Sequence, residues 1–524
     1  MPVDLPSMIR VLALASLYLV WGGSLPQTAS ATSASAYGVV WTPTGSEEDQ
    51  IRMVRTLRDH ELQAIRTTHV PHSGALQAAA AMNIAVYVDV RHPSELDDWV
   101  HHPAVEGIGW SGGLSAHGCD QWQALRATLP EETLPYVVAP LSPSAIPCSF
   151  EPSTTVLVDA REHPSVFTLW QQWTDVHAGR VGIGAIAQGR WADAPAGWNV
   201  PRSAEAQARY VEHTLTEAHQ RGISPVFTAG WSLSSNRGRF VTALWTHDGL
   251  TPAGRVVVDA THTAPTPLAL PPGSDELYSS SLPSSVVLSI WLLVGGLAWM
   301  LIQLPVLRRT MQRYLFTPTF YHDSMREGRE VTPRVTGALF FGVGGALIAG
   351  GSTLLYALRD TRAAFLAFDP LSKGAQSHIE ALLGAPFSVV AIGGGIFLAG
   401  VAVWALIASL SSRWTPSSLS WLQTVTLALM PGWLMLPWLA AVLIASFSAS
   451  PYILIALAGI AGLMFIWMGL RTGYDLYRTS RIPAWLAPLL TILTPSSLLL
   501  ASLVYWVHTH VADPSWLLLL LWHA

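Results

Sequence analysis

The chain has little cysteine, little charge, and none of the spacings that announce a nucleotide or a metal. Only Cys119 and Cys148 occur in 524 residues, and no C-x-x-C sets up a zinc or redox pair. Charged residues make up 12% of the chain and the net charge is -5. No basic cluster with interleaved aromatics precedes the apolar half, so nucleic acid is set aside as a partner. No G-x-G-x-x-G follows the first apolar run, which leaves a dinucleotide fold without its fingerprint. The histidines of HVPH (69–72) and the pair His101 and His102 lack carboxylates at fixed helical spacing and read as solvated loop residues. No metal and no cofactor is assigned.

The scarcity of charge is uneven. Before about residue 284 charged and apolar residues mix as in a soluble protein; beyond it come long uncharged runs of the kind a bilayer buries. At the N-terminus Arg10 precedes VLALASLYLVW (11–21), and TASATSASA offers A-x-A sites ending at Ala31 or Ala36. That is the layout of a secretory signal peptide (1–36), with an uncleaved anchor as the alternative. In either case the expected order is an exported domain (37–262), a Pro/Ser-rich linker (263–285) and a polytopic membrane domain (286–524) in a plasma (inner) membrane. In an oxidising compartment Cys119 and Cys148 form a disulfide or remain two buried thiols.

Eight short apolar runs fill the exported region: YGVVWTP (37–43), AIRTTH (64–69), NIAVYVDV (83–90), GIGWSG (107–112), LPYVVAPL (134–141), TTVLVDAR (154–161), RVGIGAIAQG (180–189) and SPVFTAGW (224–231). They are continuous rather than alternating, as parallel strands covered on both faces should be. Helical patterns lie between them. Ser46 can cap a helix opening with Glu47, Glu48 and Asp49 and presenting Ile51, Val54 and Leu57 on one face. Ser203 can cap another that carries Glu205 in its first turn, turns Val211, Leu215 and Ala218 inward and stops at Gly222. The fold predicted is α/β, a (β/α)8 TIM barrel, followed by an all-α membrane domain.

Function in such a barrel collects at the C-terminal ends of the strands. Trp41, Trp110, Trp191 and Trp231 fall there, with Asp89, Asp159, Glu162, His163 and Gln188. Indole faces stack on pyranose rings while amides and carboxylates bond hydroxyls, so a glycan cleft is one reading. The other is that the tryptophans cap the barrel core, where indoles are usually found.

The segment from Gln188-Gly-Arg-Trp191 through SAEAQARYVEHTLTEAHQRGI to GWSLSSNRGRFVTALWTHDGLTPAGRVV resembles the end of a glycoside hydrolase family 17 (β-1,3-glucanase-like) barrel. Ser203, Gln207, Ala208, Arg209 and Tyr210 match the family's penultimate helix; Trp245, Asp248 and Gly249 to Gly254 match its close. The resemblance implies two catalytic glutamates, and both are missing. The nucleophile position holds Gln188, and the acid/base position falls on Trp110, Ser111 and Gly112. A retaining glycosidase needs two carboxyl groups about 5 to 5.5 Å apart. Asp159, Glu162 and Asp89 are the replacement candidates, but an acid at a strand end also serves as a hydroxyl ligand or as a partner for Arg66 or Arg161.

Six spans are expected at about 286–307, 335–357, 386–410, 421–447, 452–470 and 484–507, the fourth kinked at Pro431 or Pro437. The loop 308–334 holds six arginines and should be cytoplasmic, which places the barrel outside. No ionisable residue falls in the middle of a span, which argues against an ion-coupled pump. The final WLLLLLWHA is too short to cross and is expected in the interface. The basic segment RYLFTPTFYHDSMREGRE followed by five spans is similar to the bacterial Yip1-like membrane domain in topology. The sequence therefore points to a membrane protein whose degenerate barrel binds a carbohydrate, a β-glucan or another envelope glycan. The alternatives are an active membrane-tethered glucan hydrolase or transglycosylase, and a scaffold whose barrel contacts an envelope protein partner.

Overall fold

The structure, a computed structural model, describes residues 37–524 apart from 164, 192–195, 201, 232–239, 242, 247–248, 261–266, 274–282, 330, 360, 368–370, 414–417, 449–450, 481, 484, 512 and 524. The predicted signal peptide (1–36), Asp248 and most of the predicted linker lie outside the described residues.

Eight parallel strands close into a barrel: β1 (Tyr37–Trp41), β2 (Ala64–Thr67), β3 (Ala85–Val90), β4 (Val105–Trp110), β5 (Leu134–Ala139), β6 (Thr155–Asp159), β7 (Val181–Ile186) and β8 (Val226–Trp231), with β8 returning to β1. Each of the eight apolar runs supplies one strand. Their near-complete burial explains the unbroken apolar patterns: lumen side chains cover one face and helices the other.

Helix α1 (Glu47–Asp59) starts where Ser46 accepts from Asp49 N, and the Asp49 carboxylate answers by accepting from Ser46 N, a capping box. It buries Gln50, Met53, Val54 and Leu57. Ile51 is half-buried instead of central, because the inward face is rotated by one position from the predicted one. Helix α2 (Ala116–Arg126) follows β4, and Cys119 in it is disulfide-bonded to Cys148 after β5, which settles the choice between bonded and free thiols. Helix α3 (Ala204–Gln220), capped by Ser203, buries Val211, Leu215 and Ala218 as the sequence predicts.

The C-terminal half is helical. Among the described residues five helices are long and apolar enough to cross a membrane: Ser284–Gln303, Pro333–Arg359, Pro386–Ser412, Trp421–Ser446 and Tyr452–Ser480. A sixth span is available only as the broken pair Leu486–Ile492 and Pro495–His510, bent by 58°. The break falls at Pro495, which lacks an N–H donor and disfavours helix in the residue before it. Pro431 sits in a 3₁₀ turn (Met430–Leu434) inside the fourth span, as the proline pattern suggests. Helix Pro333–Arg359 is central, packed on Ser284–Gln303, Pro386–Ser412 and Met435–Ser448. Outward-facing Leu292, Ile396, Ile444 and Val504 are exposed, as surfaces meeting acyl chains are.

One polar cluster in this half was not legible in the sequence. Asp475, fully buried near the end of Tyr452–Ser480, lies 2.9 Å from His322 Nε2 and accepts from Arg471 Nε at 3.2 Å. The expected span stops at residue 470, short of this aspartate.

Candidate functional site

The lumen is crossed by an ionic network rather than filled by aliphatic layers alone. Arg66 on β2 forks onto Asp89 on β3, donating from Nε to Oδ1 at 2.8 Å and from Nη2 to Oδ2 at 2.7 Å. Its Nη1 reaches Gly184 O on β7 at 2.6 Å, and Tyr136 on β5 donates to Asp89 Oδ1 at 2.7 Å. All three side chains are buried. Gly109 on β4 makes the room: a Cβ there would stand 1.9 Å from the Tyr136 ring. Burial alone would depress the Arg66 guanidinium, but Asp89 beside it holds it above its ordinary value; burial, then Asp89, pushes the Tyr136 phenol up. Asp89 thus has its oxygens committed to structural donors, the role the sequence allowed when it named Arg66 as a partner.

The β6 end is organised in the same way. Arg161 Nε donates to both oxygens of Asp159 at 2.9 Å, and although burial works against ionisation, Arg161 holds the Asp159 carboxyl below its ordinary range. Glu162, in the left-handed region at φ 56, accepts from Gly189 N and from Arg202 Nη1. All three replacement acids are therefore ion-paired to arginines: Asp89 to Arg66, Asp159 to Arg161 and Glu162 to Arg202. Arg202 was not singled out in the sequence, since its partner lies 40 residues away across a loop. A carboxylate held by a guanidinium fork is a poor nucleophile and a poor proton donor.

Helix α3 fixes both strand ends. Gln207 Nε2 donates to Gln188 O at 2.7 Å, and Tyr210 OH donates to Ala160 O at 2.9 Å and to His163 O at 3.3 Å. These are residues of the motif matched in the sequence, and here they position backbone. Gln188 sits just beyond β7, and its Oε1 is buried without a hydrogen-bond partner among the described residues. Ser111 Oγ beyond β4 and Trp231 Nε1 at the end of β8 are in the same state. Three polar atoms at three strand ends thus keep unused hydrogen-bonding capacity, Trp231 Nε1 within the core and the other two on half-buried residues. His163, after β6, is driven down to about 4 by burial first and by Arg362 second, against the pull of Asp159, so it is a neutral imidazole at neutral pH.

The tryptophans do not converge on one open cleft. Trp41, Trp110 and Trp231 are 2%, 0% and 0% exposed and belong to the barrel core, where no ring face is open for stacking. Trp110 Nε1 is satisfied by Gly113 O at 2.5 Å, which lets the whole indole stay buried. This corrects the expectation of four sugar-facing indoles; the core-capping alternative accounts for these three. Trp191 lies in a two-residue strand, Arg190–Trp191, paired antiparallel with Phe240–Val241. Trp245 packs on Trp231 with ring centres 5.8 Å apart and, with Trp41 and Asp49, lines a recess of about 220 Å³ at the β1 side.

The helical half covers part of the mouth, which nothing in the sequence announced. Arg362, just past the second span, donates from Nη2 to Pro140 O at 2.5 Å beyond β5. Leu366, Trp516 and Leu520 join Trp110 and Leu114 in one apolar cluster. Ser115 Oγ donates to Asp513 Oδ2 at 2.6 Å. A Cβ on Gly113, whose φ is +102°, would stand 2.7 Å from the Trp516 ring. Helix Pro514–His523, expected in the interface, buries Trp516 and Leu520 against the barrel while Leu518 and Trp522 stay exposed. The sequence signal for Arg362 is its place just past a candidate span, on the side predicted to be outside from the arginine-rich loop 308–334, where the positive-inside bias disfavours arginine. Among the described residues no group of three or more His, Cys, Asp or Glu side chains is placed to hold a metal ion.

No family model matches the chain, and no curated protein matches it. Solved structures similar to part of the chain include glycosidases. A GH2 β-galacturonidase from Eisenbergiella tayi superposes at TM-score 0.36 and 13% identity over 43% of this chain and 51% of that one. A β-D-glucuronidase from Dictyoglomus thermophilum does so at 0.38 and 10% over 44% and 51%. A β-glucuronidase from Ruminococcus gnavus does so at 0.36 and 12% over 44% and 50%. The chain spans about half the length of these enzymes, and the likeness says nothing of its chemistry.

Proposed function

We propose that this is a multi-pass envelope protein whose glycosidase-like barrel binds a glycan, a β-glucan or a related polymer, without cleaving it. The observation that carries this reading is the state of the carboxylates. Asp89, Asp159 and Glu162 are each held by an arginine, while the positions where the family 17 resemblance expects glutamates carry Gln188 and the stretch Trp110, Ser111 and Gly112. Gln188 Oε1 and Ser111 Oγ, on half-buried residues beyond two strands, have hydrogen-bonding capacity to spare, as a hydroxyl-rich ligand would use. Gln188, His163 and Trp191 are the side chains proposed to line the site.

The bonded cysteines support an oxidising location for the barrel, and the arginine-rich segment 308–334 supports a cytoplasmic loop in the plasma membrane, with a Yip1-like plan for the spans that follow. The test is a titration of the full chain, in lipid nanodiscs, with β-1,3-glucan oligomers. Binding weakened by Gln188→Ala supports the reading; no saturable binding of any neutral or acidic oligosaccharide overturns it in favour of a barrel that serves a protein partner.

A further inference from the structure

We propose that the mouth at the ends of β6 and β7 is a composite site for the acidic group of a sugar, completed by Arg362 from the membrane half. The proposal rests on the glycan reading above and adds the ligand's charge and the second half of its site.

Two guanidiniums near the ends of β6 and β7 differ from the arginines paired there. Arg66, Arg161 and Arg202 each meet a carboxylate directly. Arg190 and Arg362 form no ion pair among the described residues, and the Nε of each is buried without a partner. Among the described residues the hydrogen bond of Arg362 is to the carbonyl of Pro140. The carboxylates that act on the two from a distance, Asp159 on Arg362 and Glu205 on Arg190, are engaged elsewhere, by Arg161 and by Gly197 N. Burial lowers both guanidiniums from their ordinary value, with Glu205 pulling Arg190 and Asp159 pulling Arg362 part of the way back.

An uncompensated buried charge is costly, and a planar guanidinium fork matches carboxylate and phosphate oxygens bidentately. Arg190 follows Gln188 and Gly189 at the end of β7, while Arg362 stands close enough to His163 and Tyr210 to perturb both. Gln188 after β7 is thus followed two residues on by one such arginine, and His163 after β6 has the other, from the helical half, acting on it. Because the helical half faces this mouth, the acidic group can arrive on a free saccharide or on the head of a membrane-anchored one; carboxylate or phosphate is the shared chemistry.

The test uses the full chain in phosphatidylcholine nanodiscs and three probes: neutral β-1,3-glucan oligomers, free oligogalacturonate, and a polyprenyl-phosphate-linked glucose placed in the disc. At least one acidic probe should bind about tenfold more tightly than the neutral one, and which of the two does so identifies the source. Arg362→Gln should abolish that preference, a loss of roughly 10- to 100-fold for the acidic probe, with neutral binding kept. Arg362→Lys should recover it in part. On the unmodified chain, acidic binding should weaken with salt and neutral binding should not, a readout independent of how the variants fold. Equal affinity for neutral and acidic probes, or a preference untouched by Arg362→Gln, overturns the composite site and leaves the glycan reading standing. No binding of any probe overturns both.

Discussion

Ser115 and Asp513 lie 398 residues apart and meet at 2.6 Å, the hydroxyl of the first donating to the carboxylate of the second. The same Ser115 Oγ accepts from Gly118 N at 3.2 Å and so caps helix α2. One side chain therefore starts a barrel helix and ties the C-terminal segment to it.

The two roles separate by substitution. Ser115→Ala should remove cap and tie together, costing about 1 kcal/mol for the cap alone, whereas Asp513→Asn should weaken only the tie. Thermal unfolding of the full chain, read with protease cleavage before helix Pro514–His523, distinguishes them. Both variants should speed cleavage, and Ser115→Ala should show the larger fall in melting temperature. Unchanged cleavage in both would mean the contact holds nothing.

Asp89 answers for the lumen. Asp89→Ala leaves Arg66 buried without its carboxylate, and breaking a buried pair in this way costs about 3 to 5 kcal/mol. Chemical denaturation should show a loss of that size, with Asp89→Asn milder because an amide oxygen still accepts one of the two forks. A loss below about 1 kcal/mol, the usual size for an exposed pair, would show that water reaches Arg66.

The strands and their order were legible because a parallel strand buried on both faces leaves an uninterrupted apolar run, and Ser46 and Ser203 were legible because capping is local chemistry. The arginine partners of Asp89 and Asp159 could be named as options, since Arg66 and Arg161 flank the same strand ends. What failed was everything set by distant chain. An indole at a strand end is apolar whether it faces sugar or core, and only the packing of Trp110 against Leu366 and Trp516 decides it. Arg362 and Asp513 are remote in sequence from the strands they meet, and a hydropathy reading assigns both to loops. Asp475 was missed because its helix extends to Ser480, ten residues past the expected span end at 470.

His163 sets a pH window. Its folded value is about 4 against an ordinary 6.5, so above pH 6.5 it is neutral whether the chain is folded or not. As the pH falls, the unfolded chain takes up the proton first, and the folded form loses stability between pH 6.5 and about 4, with no further loss from this group below that. His163→Gln should flatten this part of the melting-temperature profile. Arg362→Gln should raise the His163 midpoint in an NMR titration; an unmoved midpoint would mean Arg362 is not beside it.

The bond between Cys119 and Cys148 closes a segment with a sequence separation of 29 residues. Replacing both cysteines by serine should cost roughly 3 to 4 kcal/mol on the chain-entropy account. Denaturant midpoints of the full chain with and without reductant measure this, and the double-serine variant should be insensitive to reductant.

The central claim is that the barrel holds a glycan and does not cut it. The most direct measurement is mass spectrometry of β-1,3-glucan oligomers after prolonged incubation with the full chain at concentrations where binding is saturated. The account predicts oligomers of unchanged length. Shorter products that disappear in Glu162→Gln or Asp159→Asn would contradict it and make one of those arginine-bound acids a catalyst.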